Sequence, residues 1–342
     1  MFHLLVTACL ASDPAVCADR LLPAADAPTR AECEARADAA LGDWPARQGL
    51  TANRPRCVET GALPALRLDE IAPGVLVHQG TVAMASSENR GRIANIGVVI
   101  GPSITVIDPG GSRAEAEALY AAIRLRSAAP IGAVILTHPH PDHSFGAAFF
   151  AEAGAEIIAA EGYESYLLPR RETWLGSYID GIGTAEMLGS AFATPTSTKA
   201  PEGFALLPAP EAHTGADLMA VHKSSGTVFA GDLIFRELTP VVDGSLTGWL
   251  DWLAKTPAPA SGPIVPGHGP VATDWNEAVA PMRTYLQTLK DTTLAEIAAA
   301  TPLSDAVPRI VKAMQPLATG WADFDETTAR NAATAYAELE WQ

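Results

Sequence analysis

The chain has 342 residues, 48% of them hydrophobic, which is enough to bury one large core with room for a small extra module. It carries 23 Lys and Arg against 39 Asp and Glu, and this formal charge of −16 argues against nucleic acid and other polyanionic partners. No apolar run reaches the roughly eighteen residues that a membrane span requires, so none is expected.

The start of the chain contains all four cysteines: Cys9, Cys17, Cys33 and Cys57. A short segment has too little apolar core to be stable alone, so the sequence predicts a small module, residues 1–60, closed by two disulfides in any of three connectivities. Four buried thiols in a cytosolic chain are the alternative. A zinc knuckle is disfavoured, because there is no Cys-x-x-Cys pair and no His between Cys9 and Cys57.

The cellular compartment depends on the same cysteines. Residues 6–9, Val-Thr-Ala-Cys, resemble a lipoprotein cleavage box, but no Lys or Arg precedes them and the apolar stretch is short. We therefore expect residues 2–10 to form a strand. Disulfides form in oxidising compartments, which favours a periplasmic location over the cytoplasmic alternative.

Strands and helices alternate after a predicted linker at residues 61–71. Apolar runs predict strands at 98–100, 104–107, 132–136 and 156–160, and helical spacing predicts helices at 113–126 and 145–153. This alternation is typical of an α/β domain.

Residues 137–143 read Thr-His-Pro-His-Pro-Asp-His and directly follow the predicted strand 132–136. Ligands of open α/β sheets bind at the carboxyl ends of strands, where this loop lies. Imidazole nitrogen and carboxylate oxygen suit Zn²⁺, and crowding these groups is costly without a cation. We therefore predict a metal site with four ligands from this loop: His138, His140, Asp142 and His143. A loop of histidines that only form hydrogen bonds is the alternative.

Three later apolar runs each lead to a further candidate ligand. These are His213 after residues 204–207, Asp232 after residues 227–231, and His268 after residues 264–267. Each alone would be an ordinary turn residue. In this order after the His-rich loop, they complete the set that two metal ions require.

Together these residues resemble the metallo-β-lactamase-fold hydrolases over residues 71–272. The resemblance implies a four-layer αββα sandwich with the metals at the edge where the two sheets meet. It implies that His138, His140 and His213 bind one metal, that Asp142, His143 and His268 bind the other, and that Asp232 bridges the pair. It also implies that Asp108 supports the metal loop without binding metal.

A narrower similarity extends over the whole length. Residues 89–97, residues 335–341 and the Cys-bearing start are similar to the quinoprotein relay system zinc metallohydrolases. Those proteins are named for gene association with quinone-cofactor dehydrogenases. The similarity implies a setting, with a quinoprotein dehydrogenase as partner, and leaves the reaction open.

This sequence lacks residues that some metallo-β-lactamase-fold proteins require, and these differences disfavour some of the reactions known in that fold. No Cys follows Cys57, which disfavours a β-lactamase with a Cys ligand, and diiron relatives carry Glu at the position of His140. We therefore predict a dizinc hydrolase in which a metal-bridging hydroxide attacks a small ester, thioester, lactone or amide, with Asp142 orienting the water and accepting its proton. Iron or manganese are alternative metals. The alternative functions are a metal-stabilised relay component without hydrolase activity and an iron-dependent oxidoreductase.

Two segments are predicted to flank the metals: residues 84–95, and residues 161–203 with helices at 163–168 and 179–190. An ordinary surface insertion is the alternative for the second segment. Residues 273–342 are predicted to form a C-terminal helical extension packed on the domain, with helices up to 289 and at 294–300, 306–314 and 325–339. Its apolar positions suit packing, and no chemistry is assigned to it.

Overall fold

The structure is a computed structural model that describes residues 1–209 and 211–341. The N-terminal module has an antiparallel sheet in the order β2-β1-β3. Its elements are β1 (Phe2–Leu10), β2 (Cys17–Ala27), α1 (Arg30–Leu41), α2 (Trp44–Arg47) and β3 (Leu50–Glu59). The strand expected at residues 2–10 is confirmed.

Two disulfides close this module, as predicted, and the structure selects one of the three connectivities. Cys9–Cys17 joins directly opposed residues of β1 and β2. Cys33–Cys57 joins α1 to β3 and buries both cysteines among the apolar residues of the module. The disulfides therefore supply cross-links where the module's own core is small.

The first of two larger sheets has six strands in chain order. They are β4 (Asp69–Ala72), β5 (Val75–His78), β6 (Ile96–Val99), β7 (Ile104–Ile107), β8 (Ile131–Ile135) and β9 (Glu156–Ile158). Neighbours from β4 to β7 are antiparallel, whereas β7, β8 and β9 are parallel. Because the parallel strands end at the same edge, the loops after β7 and β8 lie close together there.

Helices α3 to α8 lie between β7 and β9 in the chain or follow β9. They are α3 (Arg113–Arg124), α4 (Pro141–Ser144), α5 (Ala147–Glu152), α6 (Tyr163–Leu167), α7 (Arg171–Ile182) and α8 (Thr184–Met187). The helix predicted at 179–190 is wrong in its bounds: Gly183, with φ +100°, separates α7 from α8. A positive φ is easily adopted only by glycine, and it ends a helix.

The second larger sheet has the order β10-β11-β12-β13, with only the last pair parallel. Its strands are β10 (Phe204–Ala209), β11 (Asp217–His222), β12 (Thr227–Phe235) and β13 (Ile264–His268), and α9 (Leu246–Lys255) connects the last two. Its inner face packs on the inner face of the first sheet, for example through Phe229 and Ile135. Helices cover both outer faces, which confirms the four-layer α/β sandwich.

Three C-terminal helices extend the core of the second sheet beside α9. They are α10 (Trp275–Ala298), α11 (Leu303–Met314) and α12 (Phe324–Leu339). Helix α10 packs on β12 and β13, and the other two pack on α10. The break predicted between residues 289 and 294 is wrong, because α10 is continuous there. The hydroxyl of Thr293 donates to the Leu289 carbonyl at 2.7 Å, which satisfies a polar group that would otherwise favour a helix end.

Buried arginines join the N-terminal module to the rest of the protein. Arg20 donates to the Leu188 carbonyl just after α8 (2.6 Å), and Arg113 of α3 donates to the Leu21 carbonyl (2.9 Å). Arg113 also pairs with Glu152 at 2.7 Å. The module therefore contacts the helical segment that follows β9. No helix in the described ranges is both long and apolar enough to cross a membrane.

Candidate metal centre

All seven predicted ligands come together at the edge where the two larger sheets meet. The loop after β8 carries His138 and His140, α4 carries Asp142 and His143, a turn before β11 carries His213, β12 carries Asp232, and β13 ends at His268. A glycine makes room for them: a Cβ at Gly267 would lie 1.8 Å from Asp232 Oδ1. Only glycine fits that position without displacing the carboxylate.

The donor atoms fall into two sets. Within each set they lie within 4.8 Å of one another, and the sets are His138, His140, His213 and Asp232, and Asp142, His143 and His268. In the first set, His213 Nε2 lies 2.9 Å from His140 Nδ1. In the second, Asp142 Oδ2 lies 3.2 Å from His268 Nε2 and 3.3 Å from His143 Nε2. The grouping is the one that the family resemblance implies.

Asp232 lies between the two sets and divides its oxygens between them. Its Oδ2 lies 3.3 Å from His213 Nε2 and 3.6 Å from His138 Nε2. Its Oδ1 lies 3.1 Å from His143 Nε2 and 3.4 Å from His268 Nε2. A carboxylate placed in this way can bridge two cations.

Each histidine uses its other ring nitrogen for a hydrogen bond, so the nitrogen that faces the centre is defined. The pairs are His138 Nδ1 with Thr137 Oγ1 (3.0 Å), His140 Nε2 with Asp243 Oδ2 (3.0 Å), His143 Nδ1 with Asp108 Oδ2 (2.9 Å), His213 Nδ1 with the Val241 carbonyl (2.7 Å) and His268 Nδ1 with the Ile93 carbonyl (2.9 Å). His140 therefore presents Nδ1, and the other four present Nε2.

Asp108 lies behind residues 137–143, where the family resemblance expects a supporting residue. Its carboxylate accepts hydrogen bonds from Thr137 N (2.8 Å), Thr137 Oγ1 (2.6 Å) and His143 Nδ1 (2.9 Å). It is buried and has a φ of +51°, a conformation that costs free energy for a residue with a Cβ. Three hydrogen bonds to one carboxylate offset that strain and fix the loop.

Two buried polar atoms at the centre test whether the residues fit a metal. His138 Nε2 and Asp232 Oδ1 have no hydrogen-bond partner within residues 1–209 and 211–341. Leaving such atoms buried without a hydrogen bond is costly, and coordination to a cation would satisfy both. The donors are imidazole nitrogens and carboxylate oxygens, which suit zinc. The site therefore fits metal ions.

The pKa values of the histidines differ between the two donor sets in the metal-free protein. Burial lowers the pKa of His138 well below its ordinary value and that of His213 to about 4. Burial also opposes charge on His268, but the Asp232 carboxylate and the hydrogen bond to Asp142 outweigh it and raise the pKa of His268 to about 9. The imidazoles of His138 and His213 are thus neutral, whereas the second set contains ion pairs between Asp142 and its two histidines.

A sequence model of the metallo-beta-lactamase superfamily matches residues 90–278, more than half of the chain. The chain belongs to the metallo-β-lactamase superfamily. It has the superfamily's hydrolase fold, and the His and Asp cluster described above is its candidate metal-binding site. No curated protein gives a significant match.

Solved structures share the metallo-β-lactamase fold at low identity. An inverting sec-alkylsulfatase, Pisa1 from Pseudomonas sp., has a TM-score of 0.60 at 15% identity over 80% of this chain and 50% of that one, so the match spans half of the sulfatase. A beta-lactamase domain protein from Burkholderia ambifaria has a TM-score of 0.56 at 18% identity over 82% and 89%. The DIM-1 metallo-beta-lactamase has 0.50 at 16% over 66% and 98%. At these identities the similarity shows the fold alone.

A cavity of about 350 Å³ opens onto the candidate metal site. The segment 84–95 contributes Met84 and Ile93, and the segment 161–203 contributes Trp174, Tyr178 and Ile182. Both segments that were predicted to flank the metals therefore line this cavity.

Two residues of the site were not predicted from the sequence. Asp243 accepts hydrogen bonds from His140 Nε2 (3.0 Å) and from the Tyr166 hydroxyl (2.9 Å). Arg330 of α12 lines the cavity, although no chemistry was assigned to the C-terminal helices. Asp243 precedes a glycine and is typical of a turn, and Arg330 lies in an ordinary helical pattern, so neither gave a signal.

Proposed function

We propose that the chain is a dinuclear zinc hydrolase of small esters, thioesters, lactones or amides. The observation that carries the proposal is the position of Asp232, whose two oxygens face the two donor sets 3.1 to 3.6 Å away. His138, His140 and His213 would bind one ion, and Asp142, His143 and His268 the other. Bound zinc would lower the pKa of a water molecule and polarise the substrate oxygen.

The protein's own residues supply orientation and a proton acceptor. Asp142 belongs to the second donor set and also lines the cavity, so its carboxylate can contact both the site and the substrate side. We assign it the orientation of the attacking water and the acceptance of its proton. Trp174 packs against the His140 ring with centroids 5.2 Å apart and excludes water from that side.

The cavity walls favour a substrate with an apolar body and a negative group. Its volume, about 350 Å³, is at the small end for ligand sites, and Met84, Ile93 and Phe235 are among its apolar lining residues. Among the described residues, Arg330 is the one Arg or Lys that lines the cavity. It forms none of the ion pairs found among those residues. A guanidinium at the rim can bind a substrate carboxylate or a similar anion.

We further propose a periplasmic protein that acts with a quinoprotein dehydrogenase. Two disulfides favour an oxidising compartment. The quinoprotein setting is based on the similarity of residues 89–97 and 335–341. Within the first segment, Asn95 donates to the Pro266 and Gly269 carbonyls at 2.9 and 2.8 Å, on either side of His268. That segment therefore contributes to the shape of the second donor set.

Metal analysis combined with a substrate panel tests this function. The protein as isolated should contain two zinc ions per chain and hydrolyse at least one class among 4-nitrophenyl esters, thioesters, lactones and β-lactams. Two zinc ions with no turnover of any class would favour the relay component instead. Stoichiometric redox-active iron would favour the oxidoreductase.

A further inference from the structure

Helix α12 begins well beyond the region that matches the superfamily, which ends at residue 278, yet it contacts the surroundings of the metal centre. The contact is made to residues 240–243, which are part of the segment that connects β12 to α9. This segment contains none of the predicted ligands.

Residues 240–243 provide hydrogen-bond acceptors for two of the three histidines in the first donor set. The Val241 carbonyl accepts from His213 Nδ1 at 2.7 Å, and Asp243 Oδ2 accepts from His140 Nε2 at 3.0 Å. These bonds fix the tautomer and the ring orientation of both histidines. The position of the segment therefore determines where His213 Nε2 and His140 Nδ1 lie.

One side-chain amide of α12 binds this segment on both sides of Val241. Asn331 is buried, with 1% of its surface exposed. Its Oδ1 accepts from Val242 N at 2.9 Å, and its Nδ2 donates to the Pro240 carbonyl at 2.6 Å. Nδ2 also donates to the Tyr285 hydroxyl of α10 at 2.9 Å. Every hydrogen-bonding atom of the amide is thus used, and the segment is joined to two C-terminal helices.

We propose that Asn331 is a positioning residue for the first metal ion, so that the C-terminal extension is part of the metal centre. The inference rests on the proposed dinuclear site. It predicts a selective effect, because the histidines of the second donor set donate their hydrogen bonds to Asp108 and Ile93 instead.

Other contacts also restrain the segment, so the expected effect is partial. Tyr166 donates to Asp243, and Gly244 N donates to the His213 carbonyl at 2.6 Å. Loss of a partner that orients a metal ligand typically weakens metal binding by about 10- to 100-fold. We expect a change of this size for one ion only.

The test is stepwise zinc binding by the full-length protein, measured by competition with a chromogenic chelator. Asn331→Leu keeps the approximate size of the side chain and removes all three hydrogen bonds. It should lower the affinity for one of the two zinc ions by about 10- to 100-fold and leave the affinity for the other within about twofold of the wild-type value. Thr328→Val is the matched control, because Thr328 is buried one turn earlier on α12 and forms its side-chain hydrogen bond with Tyr285, not with residues 240–243. It should leave both affinities within about twofold.

A double-variant cycle shows which ion is affected. In the His140→Ala background the first donor set is already disrupted. Adding Asn331→Leu should therefore not lower the affinity for the remaining zinc ion further. Additional weakening there would overturn the proposal, as would unchanged affinities in the single variant or equal loss of both ions. If Asn331→Leu does not fold, Asn331→Asp replaces the amide NH₂ with oxygen at the same size and should show the same selective loss. A wild-type protein that binds fewer than two ions would contradict the proposed dinuclear function itself.

Discussion

The two donor sets contact different parts of the chain, and the pKa values of their histidines are shifted in opposite directions. In the first set, burial lowers the pKa of His213 to about 4, and residues 241 and 243 orient two of the histidines. The second set contains ion pairs, with the pKa of His268 raised to about 9, and Asp108 and Ile93 orient its histidines. One fold thus presents two metal sites that should respond differently to mutation and to pH.

Asp232→Asn should have the largest effect, because Asp232 is the residue that the two sets share. The variant keeps the size of the side chain but removes a negative charge from between the proposed cations. We expect the affinity for both ions to fall by more than about 100-fold and hydrolysis to be lost. Zinc content after dialysis, measured by elemental analysis, checks this. Retention of two ions at wild-type affinity would exclude a bridging role.

Asp108→Asn should have a smaller and one-sided effect. The variant keeps one acceptor oxygen but weakens the hydrogen bonds to Thr137 and His143 Nδ1. Zinc binding by the second set should weaken by about 10- to 100-fold, with less change in the first set. Chelator competition on both aspartate variants provides the comparison. Metal loss equal to that of Asp232→Asn would remove the distinction between support and bridge.

The pH dependence of zinc binding should separate the sets without any mutation. A proton must leave His268 before its Nε2 binds metal, because the pKa of His268 is about 9 in the metal-free protein. Zinc affinity of the second set should therefore rise at least about tenfold per pH unit between about pH 6 and pH 8. His138 and His213 have lowered pKa values, that of His213 about 4, and are already neutral in this range, so neither should add to the pH dependence of zinc binding by the first set.

The free energy of unfolding of the metal-free protein should depend on pH in opposite directions through His268 and His213. The raised pKa of His268 contributes stability that is present below about pH 6.5 and is lost as the pH rises towards 9. The lowered pKa of His213 contributes stability that is present above about pH 6.5 and is lost as the pH falls towards 4. Urea unfolding of the wild type and of His268→Gln at several pH values checks the contribution of His268. An identical alkaline loss in the variant would contradict it.

Arg330→Gln should have the smallest effect, and only on charged substrates. We expect kcat/KM for mono-4-nitrophenyl glutarate to fall by about 5- to 10-fold, because an exposed charge contact contributes modestly. The methyl ester of the same compound lacks the negative charge and should be hydrolysed at the wild-type rate. Equal losses for both esters would show that Arg330 does not recognise the anion.

Local sequence patterns predicted an α/β domain and the residues that meet at the site, and the family resemblance predicted the four layers. Apolar runs that end in His or Asp place side chains at the carboxyl ends of strands, and the structure brings all seven together. Their binding of metal stays a prediction. The four cysteines predicted two disulfides, although the pairing required the sheet register.

The residues that the sequence did not predict act through tertiary contacts. Asp243 meets His140 across 103 positions, and Asn331 meets Val242 across 89. In the sequence, Asp243 is typical of a turn, and Asn331 lies in an Ala-rich helical segment. Nothing in local spacing shows that α12 packs beside the loop after β12, so their roles appear only when the helix is in place.

Crystallographic anomalous scattering at the zinc absorption edge tests the central claim most directly. The account predicts two peaks, one within coordination distance of His138, His140 and His213, the other of Asp142, His143 and His268, with Asp232 contacting both. A single peak, or two peaks that do not share Asp232, would contradict it.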